Sequence, residues 1–549
     1  EQATWDAKKN KEGKPERRAL TVLDIEALKP FHWGYEFDQI LAKGGFDAII
    51  TNPPWEILTP EAKEFFNEYS DLVSKKKMTI REFEQKKTEI LKDPEIVEAW
   101  LTYLSEYPHV AAFFRSAPQY QNQISVVQGK RVSSDINLYK LFTEQCVNLL
   151  RNHGYCGIVV PSSVYTDIGA KQLRKMLFLQ TTVTGLFSFE NRKVIFENVD
   201  SRFKFAILTL QKGQPTNDFP AAFVRHDLEE LGSFPKENAI WLSKDMIDSF
   251  SPDTFAILEF QCATDVAILR KLLKHPALGE SSTESWNVKL IVEFHMTNDS
   301  HLFTTQPAQN RLPLYEGSSF WQFNGKYGEP RYFLAIEDVR HNLPQRGDNT
   351  DWQTCDDYKL VFRAIASPTN ERTLISAIIP KRVTCNHNVT VVVTKGLSPS
   401  PYRDMLYLMS FTNSFVLDWT IRIEGATYLK FGSIYRLPVP RMKGEKNVRE
   451  RIIERAARLI CTTQEYDELA KAIFGKQATS RTIGATDPAE RMQLRAEIDA
   501  LVANQYGLTE EEFAYILTTF PLVDESVKQL TLNTFRDLQR LGKLPDTRL

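Results

Sequence analysis

A short apolar stretch that ends in two prolines constrains the fold of this chain most strongly. Residues 46–55 read FDAIITNPPW, in which two glycines precede the apolar run and Pro53 and Pro54 stop it. Such a run is typical of a strand covered on both faces, as in a parallel sheet. The chain then turns at the carboxyl end of that strand, where open α/β sheets bind ligands. This turn presents the Asn52 amide, a proline carbonyl and the Trp55 ring. These groups suit the binding of a flat molecule with an amino group.

Length, composition and charge limit the classes of protein to which this chain can belong. The chain has 549 residues, which predicts about two to four domains, and its hydrophobic (42%) and charged (25%) fractions are typical of globular proteins. No apolar run approaches membrane-spanning length and no signal-peptide pattern opens the chain, which predicts a cytoplasmic protein without membrane contact. Six cysteines form no C-x-x-C pair and nine histidines form no cluster, so no metal site is expected. Because the net charge is -2, any nucleic-acid surface must be local.

Short apolar runs alternate with helical patterns from about residue 20 to 213, and this order predicts an α/β domain with a doubly wound sheet. Residues 57–130 interrupt the alternation as a charged, mostly helical insertion. Its lysine run at 75–77 indicates a solvated face or a contact with DNA. The predicted strands cover 20–25, 46–50, 155–163, 183–191 and 202–213, and the predicted helices cover 137–154 and 169–180.

Several blocks of the sequence resemble those of adenine-specific DNA methyltransferases. Asn-Pro-Pro followed by an aromatic residue at the end of a strand is the catalytic motif of amino-group methyltransferases. The surrounding segments PFHWGYEFDQILAKGGFDAIITNPPWE, INLYKLFTEQCVNLLRNHGYCGIVVPSS and VIFENVDSRFKFAIL resemble successive blocks of that family. The closest resemblance is to the large type IIG-like restriction–modification enzymes and their phage-defence relatives, over most of residues 20–440. It implies a Rossmann-like methyltransferase sheet, a mixed α+β target-recognition domain and C-terminal helices.

The resemblance also implies a reaction. Adenine's exocyclic amine is a poor nucleophile because its lone pair is delocalised into the ring. If the Asn52 side-chain oxygen and the Pro53 carbonyl accept its two N–H groups, the lone pair becomes available to the methyl group of S-adenosylmethionine. Catalysis is then mainly positioning and charge stabilisation. The base must be flipped out of the duplex, and stacking on Trp55 returns part of that cost.

Three of these residues have alternative interpretations. Phe196 lies in the block where the family supplies a second aromatic ring to the flipped base, but it can equally be a core residue. Asp24, at the end of the first predicted strand, can bind the amino group of the cofactor's adenine or can cap a helix. The motif at Asn52 can itself be a strand-ending turn.

One part of the family pattern is missing. The family binds S-adenosylmethionine with a glycine-rich turn of the form D-x-F-x-G-x-G, which this sequence does not contain. In the family order, that turn lies upstream of the catalytic motif. We therefore expect residues 1–213 to be the carboxyl-terminal part of the methyltransferase domain.

The rest of the chain is predicted to contain a bridging segment, a recognition domain and a helical region. Residues 214–285 are expected to bridge two domains, and residues 446–549 are helical by pattern. Residues 286–445 are rich in β-branched and aromatic residues, and 300–443 hold 17 Lys and Arg against 12 Asp and Glu. The resemblance makes 286–445 a DNA target-recognition domain, and a β-rich packing domain is the alternative. Candidate recognition side chains are Arg363, Asn370 and Arg372.

These features favour a site-specific DNA adenine methyltransferase in a restriction–modification or phage-defence system. Its expected partners are double-stranded DNA and nuclease or helicase domains or subunits. The alternative is a DNA-recognition subunit that recruits a nuclease or helicase without methylating. Methylation of a protein glutamine uses the same motif, but the recognition-like tail argues against it.

Overall fold

In a computed structural model, the chain divides into two compact units, Glu1–Cys262 and Ala263–Leu549. The first unit therefore takes in part of the predicted bridging segment, and the second contains both the predicted recognition domain and the helical tail. The lysine run at 75–77 lies outside the described residues. The structure describes residues 2–9, 11–27, 29, 31–69, 80–127, 130–131, 135–197, 199–251, 254–280, 286, 288–343, 353–365, 370–393, 401–424, 428–441, 446–542 and 544.

A six-stranded sheet organises the first unit, with strand order β6-β5-β3-β4-β2-β1. β1 is parallel to β2 and β3 is parallel to β5, whereas β4 runs antiparallel to both of its neighbours and β6 runs antiparallel to β5. The sheet is therefore mixed, and two of its strands come from the segment predicted to be a bridge of loops and short helices. The strands are β1 (Phe46–Thr51), β2 (Leu150–Pro161), β3 (Thr181–Glu190), β4 (Lys204–Lys212), β5 (Asp218–Arg225) and β6 (Ile240–Ser243).

β1 lies at the edge of this sheet and pairs only with β2 among the described residues. The Ile50 side chain is 91% exposed, so the prediction that this strand is covered on both faces is wrong. The apolar run is present, but the described residues cover only part of it. An apolar hollow of about 530 Å³ borders the strand, lined by groups such as Trp33, Phe37 and Phe142.

Two glycines allow the backbones of β1 and β2 to approach each other. A Cβ on Gly45, which has φ +122°, would lie 2.2 Å from the Leu149 carbonyl oxygen, and a Cβ on Gly154 would lie 2.8 Å from the Phe46 carbonyl oxygen. Gly154 lies within β2, which spans Leu150–Pro161. The helix predicted to end at Gly154 ends at Leu149 instead.

The segment predicted as the first strand is a helix, Val22–Ala27. Thr21 and Asp24 account for this, because the Thr21 backbone N–H donates to the Asp24 carboxylate (2.7 Å) and the Asp24 N–H donates to the Thr21 hydroxyl (3.4 Å). This reciprocal pair is a capping box, which starts a helix and is unavailable to a strand.

The predicted insertion is helical in its described part. Its helices pack around a small core of their own that contains Phe66, Phe83 and Trp100. The indole N–H of Trp100 donates to Glu12 (2.8 Å), which joins this core to the antiparallel pair Trp5–Asp6 and Lys11–Glu12. The described helices of the first unit, besides Val22–Ala27, are Trp33–Glu36, Asp38–Leu41, Ala62–Asn67, Ile80–Ile90, Pro94–Ser116, Leu138–Leu149, Ser163–Thr166, Lys171–Gln180, Glu229–Ser233 and Lys244–Phe250.

The second unit contains two small sheets and two apolar clusters, one of which includes residues of both sheets, such as Tyr315 and Val361. A buried ion pair connects them: Lys359 Nζ lies 2.7 Å from Glu293, and Glu293 also accepts from the Cys385 backbone N–H at 2.7 Å. The four-stranded sheet has the order β7-β13-β10-β11, and the three-stranded sheet has the order β9-β8-β12. Their strands are β7 (Lys289–Ile291), β8 (Arg311–Tyr315), β9 (Tyr332–Ala335), β10 (Lys359–Arg363), β11 (Ser376–Ile379), β12 (Thr384–Cys385) and β13 (Val389–Val393).

Helices form the rest of the second unit. Gly507 ends one helix and Thr509 starts the next, as a glycine cap and a Thr N-cap do in a sequence: Gly507 has φ +64°, and the Thr509 hydroxyl accepts from the Glu512 N–H at 3.3 Å. The described helices are Ala263–Leu272, Ile336–Asn342, Pro401–Thr412, Phe415–Ile423, Phe431–Tyr435, Lys446–Ile460, Asp467–Phe474, Ser480–Ile483, Pro488–Gln505, Glu510–Thr518 and Glu525–Leu541.

Candidate active site

The residues Asn52, Pro53 and Trp55 follow directly after β1, at its carboxyl end, as the sequence predicts. Pro53 is buried, whereas the Asn52 side chain is exposed and makes no hydrogen bond to any residue that the structure describes. The Asn52 amide oxygen therefore remains available as an acceptor.

Backbone pairing fixes the chain that leaves this turn. The Leu58 N–H donates to the Ile136 carbonyl (2.7 Å), and the Leu138 N–H donates to the Glu56 carbonyl (3.0 Å). These bonds tie the turn to the start of the helix Leu138–Leu149, which packs beside β2. Asn52 thus lies on a short segment held at both ends, by β1 before it and by this pairing after it.

Trp55 belongs to an aromatic cluster. Its ring stacks on Phe203, with centroids 5.6 Å apart and planes inclined by 13°, and lies 6.0 Å from Phe205. Its indole N–H donates to the Val159 carbonyl at 3.3 Å, on β2. The Phe203 side chain is 38% exposed, and the sequence motif does not point to it because Phe203 lies just before β4.

Phe196 is brought to the same cluster. Its ring meets Trp55 edge to face, with centroids 5.4 Å apart and an angle of 80°. The buried Asn191 side chain holds the Phe196 loop, because it donates to the carbonyls of Phe196 (2.9 Å) and Val199 (2.8 Å) and accepts from the Phe196 N–H (3.0 Å). Asn191 is a positioning residue that the sequence reasoning missed.

The two rings do not enclose a base in this arrangement. Two parallel rings must be about 7 Å apart to hold a third between them, since each contact needs about 3.5 Å. Trp55 and Phe196 are closer than that and nearly perpendicular. A base could stack on Trp55 only if Phe203 or Phe196 moved away.

A polar network lies at the adjacent ends of β2, β3 and β4. The Tyr165 hydroxyl shares hydrogen bonds with Ser188 (2.8 Å) and Glu259 (2.9 Å), and Glu259 also pairs with Lys204. Burial is the main cause that raises the pKa of Tyr165 well above its ordinary value, so this phenol remains protonated and donates. Lys204 follows Phe203, and this ion pair therefore anchors the start of β4 beside the aromatic cluster.

Asp24 is not at the end of a strand. Its carboxylate accepts from Arg18 (2.7 and 3.0 Å) and from Thr21, in an exposed position. The Arg18 guanidinium is the main cause that holds the pKa of Asp24 well below its usual range. Binding of a cofactor by Asp24 would require these contacts to be exchanged.

The three candidate recognition residues lie in different environments. Arg363 is half-buried at the end of β10, where it donates to the Phe320 carbonyl (2.8 Å) and its guanidinium lies 4.8 Å over the Trp321 ring. Asn370 is exposed. Arg372 is buried and donates to Asp418 at 2.7 Å, so it could contact a base only by giving up this ion pair.

The described residues offer neither a cluster of metal ligands nor a membrane-spanning helix. Among the residues that the structure describes, no group of three or more His, Cys, Asp or Glu side chains is placed to hold a metal ion. In the same part of the chain, no helix has the length and apolar character needed to cross a bilayer.

Comparison with known proteins gives a matching family and several relatives. The family described as Eco57I restriction-modification methylase matches residues 5–97 and 115–196, less than half of the chain. A protein of Methanocaldococcus jannaschii that is named as a type II restriction enzyme and methyltransferase is 24% identical over 231 residues. These residues are 42% of this chain and 13% of that protein, so the chain spans only a small part of the relative.

Two solved structures are similar in part. The type IIL restriction-modification enzyme MmeI in complex with DNA shares 10% identity with a TM-score of 0.39, covering 75% of this chain and 53% of that one. The type IIG restriction endonuclease BpuSI shares 13% identity with a TM-score of 0.28, covering 69% and 51%. Neither TM-score reaches 0.5, so neither structure defines the fold of this chain. The family match and the curated relative together make the chain similar to restriction–modification methyltransferases.

Proposed function

We propose that the first unit holds the target base of a site-specific DNA adenine methyltransferase in a restriction–modification system. The observation that carries this proposal is the free Asn52 amide beside Pro53 and Trp55, at the carboxyl end of β1. The match to the Eco57I methylase family covers these same residues and supports the assignment.

In this proposal, Asn52 and Pro53 act on the amine of an extruded adenine. The Asn52 side-chain oxygen and the Pro53 carbonyl accept its two N–H groups, which frees the nitrogen lone pair for attack on a methyl group. The pairing of Glu56 and Leu58 with the start of the helix Leu138–Leu149 holds both acceptors in place before the base arrives. This arrangement needs no strong base and stabilises the transition state by preorganisation.

Stacking of the base on Trp55 requires a local opening. Phe203 covers one face of the indole, and Phe196 lies against its edge. Phe203 is partly exposed and precedes the ion-paired Lys204, whereas Asn191 fixes the Phe196 loop with three hydrogen bonds. We therefore infer that Phe203 moves to admit the base, and that Phe196 remains as the edge of the pocket.

The resemblance implies S-adenosylmethionine as the methyl donor, but the described residues do not fit that molecule. Its amino-acid end carries an ammonium and a carboxylate, and its ribose carries two hydroxyls, so a site needs several polar partners. The hollow beside β1 is mainly apolar, with Thr51 and Gln145 among its polar lining residues and no charged side chain. Asp24 is bonded to Arg18 and Thr21.

Substitution of Asn52 tests the proposal. In the intact protein, we expect Asn52→Ala to lower the rate of methyl transfer from labelled S-adenosylmethionine to target DNA by about 100-fold or more. DNA affinity should change little, because the contact forms mainly in the transition state. Asn217→Ala, at another exposed position of the first unit, is the matched control. Methyl transfer by Asn52→Ala at the control rate would refute the assignment.

A second candidate function is a DNA-recognition subunit that recruits a nuclease or helicase without methylating. The absence of a fitting cofactor site among the described residues favours it. In that case, DNA binding would be sequence-selective while methyl transfer would be undetectable in the wild-type protein as well.

Recognition of the DNA sequence is assigned to the second unit. Among the three candidates, the side chain of Asn370 is exposed, whereas the half-buried Arg363 would have to leave the Phe320 carbonyl and the Trp321 ring to contact a base. Arg363→Ala should cost about 1–3 kcal/mol of discrimination at one base pair if Arg363 contacts a base, and should weaken all sequences alike if it contacts a phosphate. Arg372 is expected to act through packing, because it is buried against Asp418.

A further inference from the structure

A polar cleft of about 410 Å³ lies in the second unit, beside the helix Pro488–Gln505. One wall is the tight turn Trp321–Asn324, in which the backbones of Trp321 and Asn324 exchange two hydrogen bonds of 2.9 Å. Arg372, Arg491 and Arg495 all line the cleft. A volume of this size is sufficient for a small organic ligand.

Arg491 and Arg495 are attached to backbone carbonyls rather than to acids. Arg491 donates to the carbonyls of Leu459 (2.7 Å) and Phe323 (3.1 Å), and Arg495 donates to the Gln322 carbonyl (3.3 Å). Within the described ranges, no carboxylate oxygen lies within 4.0 Å of either guanidinium. Their positive charges are therefore not paired.

The third arginine, Arg372, adds an unused donor, although its charge is paired with Asp418. Arg372 is bonded through Nε to Asp418 and through Nη2 to the Asn413 carbonyl (2.6 Å). Its Nη1, like that of Arg495, makes no hydrogen bond to any residue in the described part of the chain. Burial is the main cause that lowers the pKa of Arg495, and the neighbouring Arg491 and Arg372 lower it further. Arg495 is thus repelled by Arg491 and Arg372, and the carboxylates of Glu371 and Asp499 act in the opposite direction.

Two carboxylates also line the cleft. Glu371 is exposed, and Asp499 is buried with one oxygen accepting from the Phe415 N–H at 2.8 Å. Apolar side chains also line the cleft and are called its apolar wall here; they include Met492, on the same helix as Arg491 and Arg495, and Val523 and Val527. The cleft therefore combines the two unpaired guanidiniums of Arg491 and Arg495 with two carboxylates and an apolar wall.

We propose that this cleft binds a phosphate-bearing molecule of about nucleotide size, with the phosphate at Arg491 and Arg495 and the organic part against the apolar wall. Guanidinium–phosphate bonds are charge-assisted and match in geometry. An anion there removes the mutual repulsion of the arginines. The nucleotide is either free or part of a DNA strand, and the two sources share this chemistry.

The experiment uses the intact chain and two probes. Adenosine monophosphate is titrated by isothermal calorimetry, and a fluorescein-labelled duplex is titrated by anisotropy at several salt concentrations. If the ligand is a free nucleotide, adenosine monophosphate binds and Arg495→Gln weakens that binding about tenfold or more. If it is a nucleotide of DNA, Arg495→Gln weakens duplex binding and lowers the salt slope by about one charge.

Two further variants separate binding from folding. Met492→Glu places a negative charge on the half-buried apolar wall without removing any arginine contact, and it should weaken binding at least as much as Arg495→Gln. Arg540→Gln, whose side chain is 74% exposed on the last helix, should bind like wild type. Absence of binding by both probes, or equal binding by Met492→Glu and wild type, would overturn the proposal. A loss of methylation in Asn52→Ala has no bearing on this result, because Asn52 lies in the first unit.

Discussion

Asp499 predicts a specific pH dependence of stability. It is buried in the helix Pro488–Gln505, and burial is the main cause that raises its pKa from 3.8 to about 6, against the opposing effect of Arg372 and Arg495. A difference of this size corresponds to about 3 kcal/mol. The folded protein therefore keeps a proton on Asp499 that the unfolded chain releases above about pH 4.

The direction follows from proton linkage. The unfolded chain binds fewer protons between pH 4 and pH 6, so the free energy of unfolding falls as the pH rises through this window. The contribution of Asp499 is fully present below about pH 4 and is lost above about pH 6. Asp499→Asn remains neutral and retains an oxygen that accepts from the Phe415 N–H, so it should not show this loss.

The assay is urea denaturation of wild type and Asp499→Asn between pH 4 and pH 7.5, followed by far-ultraviolet circular dichroism. We expect the stability of the variant relative to wild type to increase by about 3 kcal/mol across the window. Asp537→Asn is the control, since Asp537 forms an exposed pair with Arg540, and it should show no such increase. A constant difference between Asp499→Asn and wild type over the whole pH range would refute the reasoning.

Substitutions at Trp55, Asn191 and Gly45 test the base site and its support. Trp55→Phe should retain most of the fluorescence increase of 2-aminopurine at the target position, whereas Trp55→Ala should lose it, and equal behaviour of the two would contradict stacking. Asn191→Ala leaves two carbonyls and one N–H of the neighbouring loop without their partner. It should lower the free energy of unfolding by about 2–4 kcal/mol, measured in urea, and an unchanged value would contradict the positioning role. Gly45→Ala should lower the free energy of unfolding by more than about 3 kcal/mol, because its Cβ would lie 2.2 Å from the Leu149 carbonyl oxygen. Gly157→Ala is the control and should lower it little, because a Cβ there would meet no heavy atom within 4 Å.

The sequence predicts the elements that depend on strong local patterns. The apolar runs of β1 to β4, the helix before β2 and the Gly507–Thr509 connection all follow from periodicity and capping signals. Local signals also explain one error, since the Thr21–Asp24 pair that starts a helix is visible in the sequence but the apolar run around it suggested a strand.

The sequence does not predict features that depend on distant contacts. Arg372 is polar and close to Arg363 in sequence, yet it forms a buried ion pair with Asp418. Phe203 reaches Trp55 only because β4 lies next to β2, and Asn191 reaches the Phe196 loop only through the folded backbone. Likewise, the antiparallel direction of β4 depends on how the strands cross the sheet, which hydrophobic patterns do not record.

Within the described residues, the open side of β1 offers a pairing edge to another extended chain. A strand without a neighbour presents a row of unsatisfied backbone donors and acceptors to any other extended chain. Within Phe46–Thr51, Asp47 carries a charge and pairs with Arg151 (2.6 Å), whereas Ile50 lies almost fully exposed. The described part of the chain therefore carries a template for edge-to-edge aggregation, and a lysine at position 50 would act as a gatekeeper against it.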